Sequence, residues 1–473
     1  MFSTRNRKLI VNILLMFIVY MVPKIFSFLL IPIYTSYLST EDYGISDLIC
    51  TTAALIIPFI SLATPNAVMR YTIENKTDKR PFQVSLKVSF FGFIFLAFCL
   101  VLSFFIFNIN KLYLTFLFLN VTLSILTDIS LSYTRGIEKM KAVTICGVGG
   151  SLSGILCSIL FIVCFHWGLL GYLIASISGY IFQLIILSIM NVDKQLLKGI
   201  FKIEKTLTKE MLSFSIPLIF SGLSWWALSS ADRYFITFMC GAAANGIYSI
   251  ANKLPLILKS LDNVFGQAWI YTVYDTYKTD DGKQYINKIN NLYLFVLCLI
   301  GSILISFNMI LSKFLYSNEF YLAWKYAPFL ILAAVFSSCG GIMSIYISIY
   351  KKTKETMIIN IAAALLNMLL NFIMIKIFND ALGAAIATAF TFFLSWFANT
   401  MIGSKLGGLK SHIGKCLLMF FILILQILII LFTQNTLITS TGIFVIIIIN
   451  GKNIKFLYKT IYEKMVTFFD SKI

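Results

Sequence analysis

Residues 88–107 read VSFFGFIFLAFCLVLSFFIF, twenty positions with no charged side chain among them. A helix rising 1.5 Å per residue needs about 20 apolar residues to cross the hydrocarbon of a bilayer, so this stretch fits one crossing. It forms the greater part of a candidate span over 83–107, and the same pattern recurs from end to end. The other spans read at 9–38, 45–70, 112–133, 143–165, 168–190, 211–239, 246–274, 289–312, 324–350, 356–378, 382–403, 416–433 and 436–450, fourteen in all. Over all 473 residues the chain is 59% apolar and 12% charged, with a mean hydropathy of +0.89. A soluble fold of this length cannot hide that much apolar surface. The composition excludes a soluble enzyme, a nucleic-acid-binding domain, a disordered tail protein and a single-anchor membrane protein. The first run continues past Lys24 to Leu38, so it reads as a span and not as a cleaved signal peptide.

The charges fix an orientation. The net charge is +18, from 38 Lys and Arg against 20 Asp and Glu. The N-terminus and every second loop hold 30 of the basic residues, while the alternate loops hold only Lys111, Lys313, Lys325 and Lys376. Basic loops stay in the cytoplasm, and an even number of spans returns the chain to its starting side. Both termini are therefore expected in the cytoplasm of a multi-pass protein. The remaining four basic residues, Lys24, Arg233, Lys253 and Lys259, fall inside apolar runs. Nine cysteines lie mostly within or beside spans and read as small apolar residues without a disulfide framework. The two histidines, His166 and His412, belong to no cluster with metal-ligand spacing, so no metal is expected.

The chain repeats itself weakly. Glu41-Asp-Tyr-Gly-Ile-Ser46 aligns with Asn245-Gly-Ile-Tyr-Ser249 when Gly44 is set on Gly246, at an offset of about 202. Leu169-Leu-Gly-Tyr-Leu-Ile-Ala175 aligns with Ala381-Leu-Gly-Ala-Ala-Ile-Ala387 at about 212. Six spans per half give both halves the same orientation, which is a parallel repeat about an axis normal to the membrane. The predicted fold is an all-α polytopic membrane protein of about fourteen transmembrane helices. Its parts are a six-helix lobe over 1–192, an amphipathic cytoplasmic linker over 193–210, a second six-helix lobe over 211–404, two further spans over 405–451 and an amphipathic tail over 452–473. Six of the seven prolines inside spans (Pro23, Pro32, Pro58, Pro65, Pro217 and Pro255, with Pro328 apart) fall in spans 1, 2, 7 and 8. Broken helices at corresponding positions of two halves point to a transporter's binding site.

At this level of detail a family resemblance emerges. Phe28-Leu-Leu-Ile-Pro-Ile33, Leu38-Ser-Thr-Glu-Asp-Tyr-Gly-Ile45, Ala67-Val-Met-Arg-Tyr-Thr-Ile-Glu74, Arg135-Gly-Ile-Glu138, Asp232-Arg-Tyr-Phe-Ile236 and Gly246-Ile-Tyr-Ser-Ile-Ala-Asn-Lys253 resemble oligosaccharide flippases of the Wzx type, in order and spacing. These belong to the superfamily that also holds multidrug and toxin exporters and lipid II flippases. The resemblance implies two lobes around a cavity that opens alternately to each side of a bacterial inner membrane. It implies no catalysis. Its cargo would be an undecaprenyl-diphosphate-linked oligosaccharide bound for O-antigen, capsule or a related surface polymer. Membrane lipids and the pathway's polymerase and glycosyltransferases are the implied partners, with no nucleic acid. Spans 13 and 14 serve related flippases as a groove for the lipid tail.

A charge at mid-membrane costs roughly 2.5–3.5 kcal/mol and should face a cavity or a partner. A diphosphate cargo would give Lys24, Lys253, Arg233 and Arg70, at the inner rim, a use as ligands that replace its hydration. Sugar rings would suit the flat faces of Trp225, Trp226 and Trp269, although interfacial packing claims the same residue type. Asp128 is the carboxylate best suited to couple transport to H⁺ or Na⁺, with pairing to Arg135 as the competing reading. Lys259 and Asp262 are three apart and read as a structural pair. Asp232 has a structural role next to Arg233. Asn367 and Asn371 share a helix face and read as bonds to neighbouring helices. The alternative function is an organic-cation exporter of the same fold, whose cargo calls for an acidic cavity.

Overall fold

The computed structural model describes residues 21–190, 205–277, 279–407, 413–451 and 453. The first part of span 1, most of the 193–210 linker and nearly all of the 452–473 tail lie outside the described residues. Among the described residues every regular element is helical and no strand occurs. The helices are α1 (Met21–Tyr37), α2 (Thr40–Ile60), α3 (Thr64–Glu74), α4 (Arg80–Phe107), α5 (Lys111–Gly136), α6 (Met140–Ser158), α7 (Gly168–Met190), α8 (Lys205–Ser230) and α9 (Asp232–Cys240). They continue with α10 (Ala242–Ala251), α11 (Pro255–Thr276), α12 (Asp280–Ser306), α13 (Asn308–Leu315), α14 (Ala327–Ile349), α15 (Thr353–Phe378), α16 (Leu382–Gly407), α17 (Ile413–Thr433) and α18 (Thr436–Ile449).

Eleven of the described helical segments are long and apolar enough to cross a membrane, and Met21–Tyr37 and Thr436–Ile449 are shorter apolar helices. Span 8 is α10 with α11, whose Lys259 and Asp262 interrupt its apolar run. All fourteen predicted spans are therefore helical where described. The lobe boundaries read from the sequence stay an expectation. By chain packing, the residues fall into two compact units, Met1–Gly246 and Ile247–Ile473. The last six residues of the predicted linker belong to the first turns of α8.

Helix pairing within each unit follows the repeat. In the first unit α5 and α6 both pack on α7, and α4 packs on α5. In the second, α14 and α15 both pack on α16, and α12 packs on α14. These are spans 4, 5 and 6 over spans 10, 11 and 12. Close approach in the first pairing rests on small residues: a Cβ on Gly171 would stand 3.0 Å from the Phe161 backbone. Asn367 Nδ2 on α15 donates to Thr388 Oγ1 on α16 at 3.3 Å, so Asn367 bonds the neighbouring helix, while Asn371 Nδ2 donates to Asn367 Oδ1 at 3.0 Å within α15.

The last two spans are held by a buried amide. Gln426 of α17 donates through Nε2 to Ser306 Oγ of α12 at 3.0 Å and to the Thr439 carbonyl of α18 at 2.9 Å. Gly442 makes room for it, because a Cβ there would meet the Gln426 amide at 2.5 Å. Water is absent at that depth, so an amide that bridges three helices is a strong positional constraint. The outward faces of α17 and α18 keep Phe421, Phe432, Leu437, Phe444 and Ile448 exposed, as lipid contact requires.

Candidate functional site

Each of the four spans that hold the clustered prolines is interrupted. Span 1 turns at Leu30, ahead of Pro32. Span 2 breaks at 61–63, where Leu62 (φ 46°) and Ala63 (φ 52°) take left-handed conformations and Pro65 opens α3. Span 8 breaks at 252–254, and Pro255 opens α11. Proline favours a first-turn position because its missing N–H has no partner there in any case. Span 7 departs from expectation: Pro217 lies inside α8 without interrupting it, and the break falls at Ala231, before Asp232.

The starts of α2 and α10 meet in the first unit. Ser39 caps α2 by accepting the Asp42 N–H at 3.0 Å, which sets the entry of the Glu41–Ser46 segment. Four residues into that helix, a Cβ on Gly44 would lie 1.9 Å from the Ala242 carbonyl oxygen. A Cβ on Gly246 would lie 1.9 Å from the Thr40 carbonyl oxygen. The contact is reciprocal, and its two glycines are the pair that the sequence repeat superposes. Asn245 Nδ2 adds a bond of 3.0 Å to the Gly44 carbonyl.

Below this crossing, polar ties run along α2 toward α8 and α9. Arg233 Nε stands 2.8 Å from Asp47 Oδ2, with side chains only 17% and 19% exposed. The Tyr234 and Thr52 hydroxyls are 2.6 Å apart, and Trp226 Nε1 donates to the Thr51 carbonyl at 3.0 Å. Trp226 also meets Tyr234 edge to face at 5.7 Å. Asp232 is buried and accepts the Arg233 backbone N–H at 3.0 Å, so its carboxylate steadies the start of α9. Asp47 was not singled out from sequence. Its partner is 186 positions away, and nothing local marks the pairing.

The other candidates of the first unit are dispersed. Lys24 is half-buried on α1 and has no ion pair among the described residues. Arg70 is exposed on α3, pairs with Glu74 at 3.5 Å and lays its guanidinium over the Phe214 ring at 4.5 Å. Asp128 is exposed on α5, although α5 is half buried inside the protein. Arg135 is near enough to act on it electrostatically, but no ion pair joins them among the described residues. Tyr180 of α7 bonds Ser124, one turn from Asp128. Trp225 is 55% exposed, on a different face of α8 from its bonded neighbour Trp226.

In the second unit, Lys253 is half-buried in the break of span 8. Asp262 receives the Tyr293 hydroxyl of α12, with Lys259 in electrostatic range. The structural pair read from spacing is therefore a triad that includes a tyrosine of the next span. Trp269 is 4% exposed, stacked at 5.6 Å on Phe265, which stacks in turn at 4.2 Å on Tyr293. That ring is enclosed by packing. Among the described residues no three His, Cys, Asp or Glu side chains cluster as a metal site.

The sequence profile of polysaccharide biosynthesis proteins matches residues 9–271, more than half of the chain. The chain belongs to that family. None of the curated proteins matches this family member in sequence. Among solved structures, the lipid II flippase MurJ in an inward closed conformation resembles it at TM-score 0.64 and 14% identity, over 96% of this chain and 100% of that one. An inward-facing multidrug resistance MATE transporter of the MOP superfamily resembles it at TM-score 0.61 and 14% identity, over 83% of this chain and 95% of that one. A MOP superfamily transporter from Pyrococcus furiosus follows at TM-score 0.53 and 14% identity, over 84% and 95%. These likenesses establish the fold. The chain is thus a member of the polysaccharide biosynthesis family with many membrane-length helices and a fold like that of these transporters.

Proposed function

We propose that this protein flips a polyisoprenoid-diphosphate-linked oligosaccharide from the cytoplasmic to the outer face of a bacterial inner membrane, with both termini in the cytoplasm. Lys24 carries the reading: a half-buried cation at the centre of predicted span 9–38, with no ion pair among the described residues. A lysine in that position demands an anionic visitor or water, since a bare cation in hydrocarbon is costly. A diphosphate supplies about two negative charges. Lys253 in the break of span 8 and Arg70 at the inner rim are its proposed companions. Arg233, already neutralised by Asp47, serves the same path as a switchable partner, and Trp225 offers an open ring for sugar.

The family's link to polysaccharide biosynthesis supports this reading, as does a likeness to the lipid II flippase that extends over 96% of the chain, against 83% for the multidrug transporter. Asp128 is the proposed coupling carboxylate, for H⁺ or Na⁺. The test is deletion of the gene, followed by measurement of surface polymer and of lipid-linked oligosaccharide on each face of the inner membrane. Complementation uses the native chain, Lys24→Ala and Lys24→Arg. Accumulation on the cytoplasmic face, rescued by native protein and Lys24→Arg but not by an expressed Lys24→Ala, supports the proposal. Unchanged polymer together with sensitivity to cationic drugs replaces it with an organic-cation exporter.

A further inference from the structure

The second unit holds a pocket that none of the proposed transport residues uses. It is a partly open cleft between α12, α14, α16 and α17, with a cavity volume of about 60 Å³ at its base. Asn287, Asn290, Asn291, Thr400 and Ser404 supply its polar lining, and Ile342, Met343 and Trp396 are among its apolar walls. Asn290 bonds Tyr346 and Ser404 bonds the Met401 carbonyl, whereas the other three lack partners among the described residues. Asn287 and Asn291 make no side-chain hydrogen bond among the described residues. The Thr400 hydroxyl, 3% exposed as a residue, has none either. Three unanswered polar groups beside apolar walls call for a ligand with a polar head and an apolar tail.

The surrounding charge gives the sign of that head. Lys283 lies one helical turn before Asn287 on the same face of α12, and its nearest acidic contact is the exposed Asp280 at 3.4 Å. Lys405 and Lys415 stand on the end turns of two lining helices and Lys288 on the third turn of α12, toward the end that the loop charges assign to the cytoplasm. No carboxylate lines the pocket. The cytoplasmic leaflet is also where anionic phospholipids concentrate next to basic residues.

We infer that this pocket binds one anionic glycerophospholipid of the cytoplasmic leaflet. Its phosphate faces Lys283, its glycerol and ester oxygens meet Asn287, Asn291 and Thr400, and an acyl chain lies along Met343 and Trp396. None of the proposed diphosphate or sugar ligands lines this site, and its occupancy reaches span 8. Asn290 bonds Tyr346 at 3.2 Å, and Tyr293 on the pocket wall holds Asp262 of α11. A bound lipid therefore braces α11 through α12.

The experiment uses the full chain, delipidated in detergent. Its thermal unfolding midpoint is read with dioleoylphosphatidylglycerol, dioleoylphosphatidylcholine or inorganic phosphate. The expected result is a rise of about 3 °C or more with phosphatidylglycerol and little with the other two. Asn287→Leu/Asn291→Leu should lose that rise while keeping its lipid-free midpoint. Met343→Trp, which fills the pocket, and Lys283→Ala, on an exposed turn, give the same reading if the double variant fails to fold. An equal response to phosphatidylcholine overturns the inference, as does a full response to phosphate alone. A phosphatidylglycerol response that survives Met343→Trp and Lys283→Ala overturns it too.

Discussion

The crossing of Gly44 with Gly246 can be tested by adding one methyl group. A Cβ on Gly44 would stand 1.9 Å from the Ala242 carbonyl oxygen and 2.9 Å from the Gly246 nitrogen. Carbon and oxygen approach to about 3.3 Å at closest, so the two segments must separate by about 1.4 Å. Both sides of the clash are backbone, so no rotamer change relieves it, and overpacking at the upper end, about 3 kcal/mol, applies. The same displacement stretches the 3.0 Å bond from Asn245 to the Gly44 carbonyl beyond use, for about 1 kcal/mol more. Alanine returns up to about 1 kcal/mol in helix propensity. The net loss for Gly44→Ala is therefore about 3 kcal/mol. Gly246→Ala should cost nearly as much, through its 1.9 Å clash with the Thr40 oxygen. Because the contact is reciprocal, the first methyl already parts the segments and the second costs little. Unfolding of both single variants and the double variant in detergent forms a double-mutant cycle, with Gly222→Ala as control, since nothing lies within 4 Å of its added Cβ. The expected double cost is close to either single cost. A double variant that loses the sum of both, or a Gly44→Ala chain as stable as the parent, would refute the crossing.

Three further outcomes follow from the same geometry. Asp47→Asn strands the Arg233 guanidinium in a site 17% exposed, and after discounting for that exposure the loss is about 2 kcal/mol by thermal unfolding. The exchange Asp47→Arg/Arg233→Asp should recover most of it, whereas a mere packing role would not be recovered. Gln426→Ala removes two hydrogen bonds and leaves a cavity facing Gly442, a loss of about 3 kcal/mol, and limited proteolysis should then release α17 and α18 before the rest. In the loop after α3, the Arg80 guanidinium holds the Asp78 carboxyl below the usual carboxylate range, with bonds of 2.9 to 3.1 Å. A depressed carboxylate contributes stability above its unfolded pKa and loses it as the pH falls through its folded pKa. The stability difference between the native chain and Asp78→Asn should therefore hold from neutral pH to about pH 4 and vanish below it.

Spans were legible because each carries its own evidence: an uncharged run such as 88–107 needs no partner to be read. The Gly44 and Gly246 pair was legible as a repeat, yet not as a contact, since a shared offset carries no distance. Asp47 escaped notice because its partner Arg233 is remote in sequence and both lie among apolar neighbours. Tyr293 escaped for the same reason, and spacing alone assigned Asp262 wholly to Lys259. Proline marked the breaks of spans 1, 2 and 8 but misled in span 7, where Pro217 is absorbed and Ala231 is the break. A proline is tolerated when neighbouring helices and side chains satisfy the freed carbonyl, a tertiary condition that no local rule supplies. Trp269 looked like Trp225 in sequence. Packing against Phe265 and Tyr293 separates them, since one ring is enclosed and the other is 55% exposed.

The in-span charges divide by whether the protein answers them. Arg233 is answered by Asp47, and Asp262 by Tyr293 with Lys259 nearby. A closed pair of this kind costs little to keep in a membrane and can open only when something else takes one partner's place. Lys24 has no such answer among the described residues, and Asp128 has Arg135 in electrostatic range with no ion pair between them among the described residues. Under the proposed function, groups left open in this way are where cargo or coupling ion would be met. If the proposed anionic cargo also displaces Asp47 from Arg233, release of that pair would loosen the tie between α2 and α9. The same event would then bind cargo and weaken a contact that holds the two helices together. Under this logic Arg233→Lys is not conservative: a lysine keeps the charge but lacks the planar fork that can exchange a carboxylate for a phosphate.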